Sequence, residues 1–234
     1  MLVVSWNMGC GPRSRYRRSH ADAWRYLLEL GPDIALVQEA LRAAAPAPEL
    51  GSMFWSADHG GESGAGVFVR RGITASPVVL VSAGSYVAGV SVQGPGLPVL
   101  IASIHVGPAN YKENRRILLD ELVRLSARRS FVFGGDFNAA RHWDTVYGGR
   151  THNKFFNDLA SHGFHDCHWA QHGQETQSFW GHQTREAYQC DHFFTDKAMA
   201  DEGRILNCVV VDNPEVRVLN DHGPVRLELA IDFS

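Results

Sequence analysis

The chain has 234 residues, of which 44% are hydrophobic and 20% are charged, and its formal net charge is −3. These values are typical of a globular protein with a sizeable core, and they argue against a disordered or low-complexity chain. We therefore expect one domain over residues 1–234. The weak negative charge does not itself indicate a nucleic-acid binder, although a local basic patch would be enough for binding.

Cysteine usage and hydropathy bear on the cellular setting. Cys10, Cys167, Cys190 and Cys208 form no CxxC pair and no zinc-ligand spacing with histidine. We expect buried free thiols in a reducing compartment. No run of 18 apolar residues occurs, and the amino terminus has no signal-peptide pattern. A cytoplasmic monomer without a membrane span is the expectation, and secretion from a cleaved precursor stays open.

Hydrophobic runs and turn residues predict strands interrupted by a few long helices. The predicted strands cover 2–6, 34–39, 52–56, 65–70, 76–82, 86–92, 98–104, 131–135, 188–194, 205–212 and 225–231. The predicted helices cover 20–30, 110–128 and 151–162. Residues 42–50, rich in alanine and proline, are predicted to form a loop. Many strands with three long helices indicate two β-sheets packed face to face and covered by helices.

The stretch from Phe131 to Ala139 predicts a buried strand that ends in a tight turn. Three apolar residues and two glycines lead into Asp136 and Asn138. Because alternate residues of a strand point to the same side, both side chains can face one ligand. Carboxylate and amide oxygens suit a hard cation such as Mg²⁺, and the glycines leave room for a phosphate or a backbone to approach. An ordinary strand-end turn is the alternative that this stretch alone leaves open.

A basic patch follows the first predicted strand. Residues 13–18 contain four arginines around Tyr16, close in sequence to Asn7. Arg13 and Arg15 are its candidate substrate-binding residues, because such a patch can steer an anion towards a site. A solvated helix start is the alternative, with about equal weight.

Polar side chains recur at or near the ends of the predicted apolar strands. If these ends point the same way, one edge of the molecule collects carboxylates, amides and imidazoles. The residues are Asn7, Glu39, His105, Asp136, Asn138, Asp191, Asp221 and His222. Crowded carboxylates repel each other unless a cation lies among them. The pattern therefore favours a Mg²⁺ or Mn²⁺ site with a phosphate as the remaining partner.

Six motifs, in order along nearly the whole chain, carry a resemblance to a known family. They are Trp6-Asn7, Val37-Gln38-Glu39, Ile104-His105, Gly134-Gly135-Asp136-Phe137-Asn138, Cys190-Asp191-His192-Phe193-Phe194 and Asp221-His222-Gly223-Pro224-Val225. Together they resemble the endonuclease/exonuclease/phosphatase superfamily, the metal-dependent fold of deoxyribonuclease I and exonuclease III. The resemblance implies an α/β fold, a four-layer α/β/β/α sandwich. In it, two mostly antiparallel β-sheets are flanked by helices, and the site lies at one rim.

The resemblance also implies roles for the acidic and amide residues. Glu39 matches the principal metal ligand. Asn7 and Asp221 match further members of the metal site, and Asn7 also matches a phosphate contact. Asp136 matches the residue that orients or activates the water, and Asn138 matches a phosphate contact.

The imidazoles and one aromatic residue are assigned in the same way. His222 matches the imidazole on the scissile phosphate, as general base or stabiliser of charge, with Asp191 as its orienting partner. His105 resembles the second imidazole of the deoxyribonuclease I and phosphodiesterase branches, and Glu62 is its candidate carboxylate partner. Trp180 is a candidate wall for a sugar or base, and a role as a core or loop anchor is the alternative. Which residue takes the proton of the water stays open.

The predicted activity is hydrolysis of phosphoester bonds with Mg²⁺ or Mn²⁺. A nucleic-acid endonuclease is the leading prediction, because the arginine-rich stretch 13–18 favours an anionic polymer. The mild acidity and the short chain favour an alternative, a phosphatase or phosphodiesterase acting on a small-molecule or lipid-headgroup phosphate. A catalytically inactive phosphate-binding module is the third hypothesis, although every expected catalytic position holds a competent residue.

Overall fold

The structure is a computed structural model that describes residues 1–10, 16, 19–56, 61–79, 85–94, 98–107, 110–127, 129–181 and 188–232. The strands are β1 (Leu2–Asn7), β2 (Ile34–Leu41), β3 (Gly51–Trp55), β4 (Ser63–Arg70), β5 (Ala75–Val78), β6 (Ser85–Val92), β7 (Val99–Val106), β8 (Phe131–Asp136), β9 (Phe164–Asp166), β10 (Asp191–Asp196), β11 (Ile205–Val210) and β12 (Val225–Leu229). The helices are α1 (His20–Glu29), α2 (Tyr111–Ser126), α3 (Arg141–Tyr147), α4 (Thr151–Ser161), α5 (Cys167–His172), α6 (Lys197–Asp201) and α7 (Pro214–Leu219).

The strands form two mixed sheets of six strands each. The first sheet has the order β11-β12-β1-β2-β4-β3, and the second has the order β5-β6-β7-β8-β10-β9. The pairs β1–β2 and β7–β8 are parallel, and the other pairs of these described strands are antiparallel. The predicted pair of mostly antiparallel sheets is confirmed.

The two sheets face each other across an apolar layer. Leu36 and Val67 of the first sheet belong to the same fully buried cluster as Ile101 and Val132 of the second. These residues come from strands with near-continuous hydrophobic sequence, as expected for strands that are covered on both faces. Burial of this interface is the main reason why the two sheets stay together.

Helices cover the outer face of each sheet and complete the four layers. Leu27 of α1 and Val216 of α7 pack in one cluster with β1 and β2. Leu118 of α2 and Phe155 of α4 pack in another with β7 and β8. The layers therefore run α/β/β/α, as predicted.

Among the described residues, four α-helices, one strand and one 3₁₀ turn were not predicted from the sequence, namely α3, α5, α6, α7, β9 and the turn Arg42–Ala44 in the predicted loop. Each has seven residues or fewer, which is too short for a hydrophobic period to be recognised. Local capping helps to define three of these helices: the side chains of Asp166, Asp196 and Asn213 accept hydrogen bonds from backbone N–H groups in the first turn.

Two predicted strands have different ends in the structure. The predicted strand 188–194 begins at Asp191 instead, because Tyr188 pairs with Phe179 in an isolated bridge. The predicted strand 76–82 corresponds to β5, which ends at Val78, and residues 80–84 lie outside the described residues.

All four cysteines are free and buried, as predicted. No helix within the described ranges is long and apolar enough to cross a bilayer.

Candidate active site

The sheet topology brings the predicted polar strand ends together. In the parallel pair β7–β8, His105 lies beside Asp136. Because β10 runs antiparallel to β8, its first residue, Asp191, lies on the other side of Asp136. Asn7, at the end of β1, reaches across from the first sheet and donates a hydrogen bond from Nδ2 to Oδ2 of Asp136 at 2.9 Å. Four predicted site residues thus meet at one rim of the sandwich.

Glu39 reaches the rim through an irregularity in β2. The register between β2 and β4 shifts between Val37 and Ala40, and Glu39 has a left-handed φ of 48°. Such bulges redirect a side chain at the edge of a site. The Glu39 carboxylate is 32% exposed, and its Oε1 lies 3.5 Å from Nε2 of His105. The same Nε2 lies 3.9 Å from Oδ2 of Asp136.

The two glycines before Asp136 allow neighbouring strands to pack closely against β8. Gly135 has a φ of 150°, and a β-carbon there would collide with the backbone oxygen of Ile104 in the neighbouring strand. A β-carbon on Gly134 would collide with the ring of Phe193. Of the two predicted alternatives, a close backbone or a close phosphate, the structure shows a close backbone at Gly135, and the side chain of Phe193 fills the space at Gly134.

Asp136 is a buried carboxylate with organised neighbours. Its Oδ1 accepts a hydrogen bond from the backbone N–H of Asn138 at 2.8 Å. Burial raises the pKa of the Asp136 carboxyl, and the charge of Asp191 adds to this rise, while His222 and His105 act in the opposite direction. A carboxylate with a raised pKa is a better proton acceptor than an exposed one.

Asn138 is held in a fixed orientation beside Asp136. Its φ of 47° is left-handed, and its Nδ2 donates to the backbone oxygen of Val106 at 2.8 Å. The amide group therefore links the loop after β8 to the end of β7, directly after His105 in the chain.

His222 and Asp191 form a buried ion pair. Nδ1 of His222 lies 3.0 Å from Oδ2 of Asp191, so the predicted pairing is present. Burial lowers the pKa of His222, but the charge of Asp191 and its hydrogen bond outweigh burial and raise this pKa to about 10. His222 is therefore an imidazolium at neutral pH, and Nε2 is the nitrogen left for a substrate. The ring of Phe179 lies against it at a centroid distance of 4.7 Å.

Two residues that support this pair were missed by sequence reasoning. Ser178 Oγ donates to Oδ2 of Asp191 at 2.7 Å, and it accepts hydrogen bonds from the backbone N–H groups of Cys190 and Asp191. Asn220 Nδ2 donates to the backbone oxygen of Asn7 at 2.7 Å, which ties the His222 turn to β1. The only sequence signal for Asn220 is its position directly before Asp221-His222, and Ser178 has no comparable signal.

Substituting Ser178 by alanine is expected to destabilise the fold by about 1–3 kcal/mol, because it leaves two buried backbone N–H donors without the hydroxyl acceptor and removes one of the two hydrogen bonds to Oδ2 of Asp191. Urea unfolding measures this loss. Ser161→Ala is the matched control, since the Ser161 hydroxyl is exposed on α4 and donates to a carbonyl of its own helix. Equal urea midpoints for the two variants would contradict the supporting role of Ser178.

The predicted metal residues lie on the rim, but they are not gathered as three protein ligands. Among the described residues, no three His, Cys, Asp or Glu side chains form a group that could hold a metal. Asn7 Oδ1 accepts a hydrogen bond from the backbone N–H of Gly9 at 2.9 Å, so its Nδ2 faces Asp136. Asp221 lies over the same turn, where a β-carbon on Gly9 would be 3.3 Å from Asp221 Oδ1.

Three other predicted site residues have different outcomes. Glu62 is exposed before β4, and the carboxylates within 4.0 Å of His105 belong to Glu39 and Asp136 instead. The predicted pairing of Glu62 with His105 is therefore wrong, because the bulge in β2 brings Glu39 there first. Arg13 and Arg15 lie outside the described residues.

Trp180 lies close to the His222 turn, but its ring is used for structure. Its backbone N–H donates to the oxygen of Asp221 at 2.7 Å. The Arg217 guanidinium lies 4.8 Å from the ring centroid, and a β-carbon on Gly223 would be 2.7 Å from the ring. These contacts favour the loop-anchor alternative for Trp180, and Phe179 is the aromatic residue that contacts His222.

The fold and the rim define an α/β sandwich protein with a site of carboxylates, amides and imidazoles. A sequence model of the Endonuclease/Exonuclease/phosphatase family matches residues 4–206. The chain therefore belongs to this family, which is named after enzymes that hydrolyse phosphoester bonds. The comparison with curated protein sequences gives no match.

Solved structures with the same fold include several nucleic-acid enzymes. The endonuclease domain of TRAS1, a telomere-specific non-LTR retrotransposon, is 19% identical with a TM-score of 0.70, and 97% of each chain is covered. D. rerio TDP2 complexed with single strand DNA product is 16% identical with a TM-score of 0.72, and 97% of each chain is covered. The 3′ phosphatase NExo from Neisseria, bound to product DNA hairpin, is 18% identical with a TM-score of 0.71, and 98% of this chain and 99% of that chain are covered. At these identities the likeness shows the fold.

Proposed function

We propose that the chain is a Mg²⁺- or Mn²⁺-dependent phosphodiesterase that cleaves nucleic acid internally. The proposal depends mainly on two side chains at the rim, Asp136 and His222, whose protonation properties differ. Asp136 has a raised pKa and so gains proton affinity, whereas His222 is held as a cation by Asp191. Acid–base catalysis at neutral pH requires one group that accepts a proton and a neighbouring group that donates one, and the environment of each group sets its role.

Asp136 is the proposed proton acceptor and His222 the proposed proton donor. In the reaction, a water oxygen forms a bond to phosphorus, and the proton of that water passes to the Asp136 carboxylate. The bond from phosphorus to the leaving oxygen breaks, and the leaving oxygen takes the proton from Nε2 of His222. Asp191 holds His222 in place through Nδ1, and Asn138 and His105 contact the phosphate. Exchange with solvent restores both protonation states.

The acidic rim fits a hard divalent cation. The Glu39 side chain is one-third exposed, and its Oε1 lies 3.5 Å from Nε2 of His105, so the carboxylate is accessible to act as a ligand. Asp221 and Oδ1 of Asn7 supply further oxygens on the same rim. Mg²⁺ is commonly held by one or two carboxylates together with substrate phosphate and water, so three gathered protein ligands are not needed. When bound, the cation would neutralise charge on the phosphoryl group and stabilise the leaving oxygen.

Nucleic acid is the proposed substrate for two reasons. The structures of TDP2 and NExo were solved with single strand DNA product and product DNA hairpin, respectively. The arginine-rich stretch 13–18 follows β1, which ends at Asn7 on the rim, and it can attract a polyanion.

The test is to incubate supercoiled plasmid and a single-stranded oligonucleotide with the purified chain in Mg²⁺, in Mn²⁺ and in EDTA. We expect nicking with either metal, none in EDTA, and a rate that falls as salt is raised. A chain that leaves DNA and RNA intact but releases phosphate from a small ester would support the small-molecule alternative. A chain that binds these substrates with metal present but turns over none would support the inactive binding module.

A further inference from the structure

A groove runs between α2 and α4 on the outer side of the second sheet. Its volume is about 690 Å³, which is within the range of ligand-binding pockets. Its lining includes Tyr111, Lys112, Arg115, Leu119, Lys154 and Phe155. Leu119 and Phe155 supply apolar surface, and Tyr111 supplies an exposed ring.

The groove is positively charged although the whole chain is negative. Four basic and two acidic side chains line it, a local net charge of +2 against −3 for the chain. Lys154 is paired with Asp158 at 2.6 Å, and Arg116 is paired with two carboxylates of α2. Lys112 and Arg115 have no carboxylate within 4.0 Å among the described residues, so their charge is available to an anion.

Arg115 is unusual because its guanidinium is buried. The residue is 6% exposed, and burial lowers its pKa. Its Nε donates to the backbone oxygen of Tyr111 at 3.2 Å, and its Nη1 lies 3.0 Å from Nδ1 of His152. Burial and the charge of Arg115 lower the pKa of His152 to about 4, so this partner is neutral at physiological pH. The charge of Asp144 acts in the opposite direction and compensates part of this burial. Among the described residues no carboxylate lies within 4.0 Å of Arg115, and an anionic ligand would offset the remaining cost of burying this cation.

The groove lies close to the rim residue His105 along the chain. The helix α2 begins at Tyr111, six residues after His105. The connection is tied down at two points: Asn114 Nδ2 donates to the backbone oxygen of Gly107 at 3.2 Å, and Asn138 Nδ2 donates to that of Val106 at 2.8 Å. Burial and the charges of Asp136 and Glu39 contribute to a raised pKa of the Tyr111 phenol. Tyr111 therefore lines the groove and is also near enough to Asp136 and Glu39 to be influenced by their charge.

We propose that the α2–α4 groove binds a single strand of nucleic acid leading away from the phosphate at the rim. Lys112 and Arg115 contact a neighbouring phosphate, and a base stacks on Tyr111 above the apolar surface of Leu119 and Phe155. Positive charge combined with an aromatic surface is how proteins hold single strands with little sequence preference. The inference deepens the proposed function and rests on it.

The test compares charge reversal inside and outside the groove. Lys112→Glu is compared with Lys197→Glu, because Lys197 is an exposed lysine on α6, does not line the groove and is paired with Asp201 of its own helix. Fluorescence anisotropy follows the binding of a short oligothymidylate over a range of salt concentrations. We expect Lys112→Glu to weaken binding about tenfold or more, with a salt slope smaller by roughly 0.7. The affinity of Lys197→Glu should equal that of the unmodified chain.

A second variant tests stacking without a change of charge. Tyr111→Ala should weaken binding about tenfold and Tyr111→Phe should not, because the ring rather than the hydroxyl contacts the base. Equal oligothymidylate affinities for Lys112→Glu and Lys197→Glu, or no binding by the unmodified chain, would overturn the inference. Failure of the groove inference can be distinguished experimentally from failure of the proposed function. A chain that cleaves a small phosphodiester but shows no groove effect refutes only the groove, whereas one that cleaves no phosphodiester with metal refutes the proposed function.

Discussion

Replacing His222 by alanine is expected to lower turnover on a phosphodiester substrate by about a thousandfold, because general acid–base groups typically contribute between 10² and 10⁴ in rate. In the proposed mechanism, the imidazolium supplies both the proton for the leaving oxygen and positive charge beside the phosphate. Steady-state rates with the oligonucleotide, at saturating Mg²⁺ and near-neutral pH, measure the loss. The value of kcat should fall much more than the affinity for the oligonucleotide.

The fold is expected to survive this substitution. Trp6 Nε1 donates to the backbone oxygen of His222 at 2.8 Å, and this contact does not need the imidazole. Asp191 would lose one partner but keep Ser178. His222→Gln is the companion variant, because its amide can still donate to Asp191, and His162→Ala, at an exposed histidine directly after α4, is the control. Near-normal turnover in both His222 variants would contradict the role given to this residue.

Replacing Glu39 by glutamine is expected to reduce metal-dependent turnover by about a hundredfold or more, because the variant loses the charge that attracts the divalent cation. Glutamine preserves the size of the side chain, so the bulge in β2 should persist. The Mg²⁺ concentration needed for half-maximal rate should rise strongly. Calorimetric titration with Mn²⁺ provides a second readout that does not depend on turnover.

Glu49→Gln is the matched control for Glu39, because it removes one exposed carboxylate from a loop away from the rim. The control should keep the rate and the Mg²⁺ dependence of the unmodified chain. If Glu39→Gln behaved like Glu49→Gln in both measurements, the metal would have to be held elsewhere.

The main part of the site could be predicted because each side chain follows a recognisable apolar strand. Asn7, His105 and Asp136 end hydrophobic runs, and the parallel pairs β1–β2 and β7–β8 place such ends at one edge. A strand that ends in a polar residue is visible in the sequence. The direction of that strand in a sheet then follows from a small set of allowed topologies.

The remaining parts of the site depend on tertiary structure and could not be read from local patterns. Ser178 contacts Asp191 because the chain folds back on itself before β10, where Phe179 pairs with Tyr188. Glu39 displaces Glu62 as the neighbour of His105 because β2 contains a bulge, which no residue pattern announces. The pKa values of Asp136 and His222 arise from burial and mutual charge, so the division of acid and base roles also needed the folded structure.

A crystal structure of the chain with Mn²⁺ and a non-hydrolysable phosphodiester analogue tests the central claim most directly. We expect an anomalous Mn²⁺ peak against the Glu39 carboxylate. The phosphate should lie between His105, Asn138 and Nε2 of His222, close to the Asp136 carboxylate. Mn²⁺ and phosphate bound together at another place, with Glu39 and His222 contacting neither, would contradict the account.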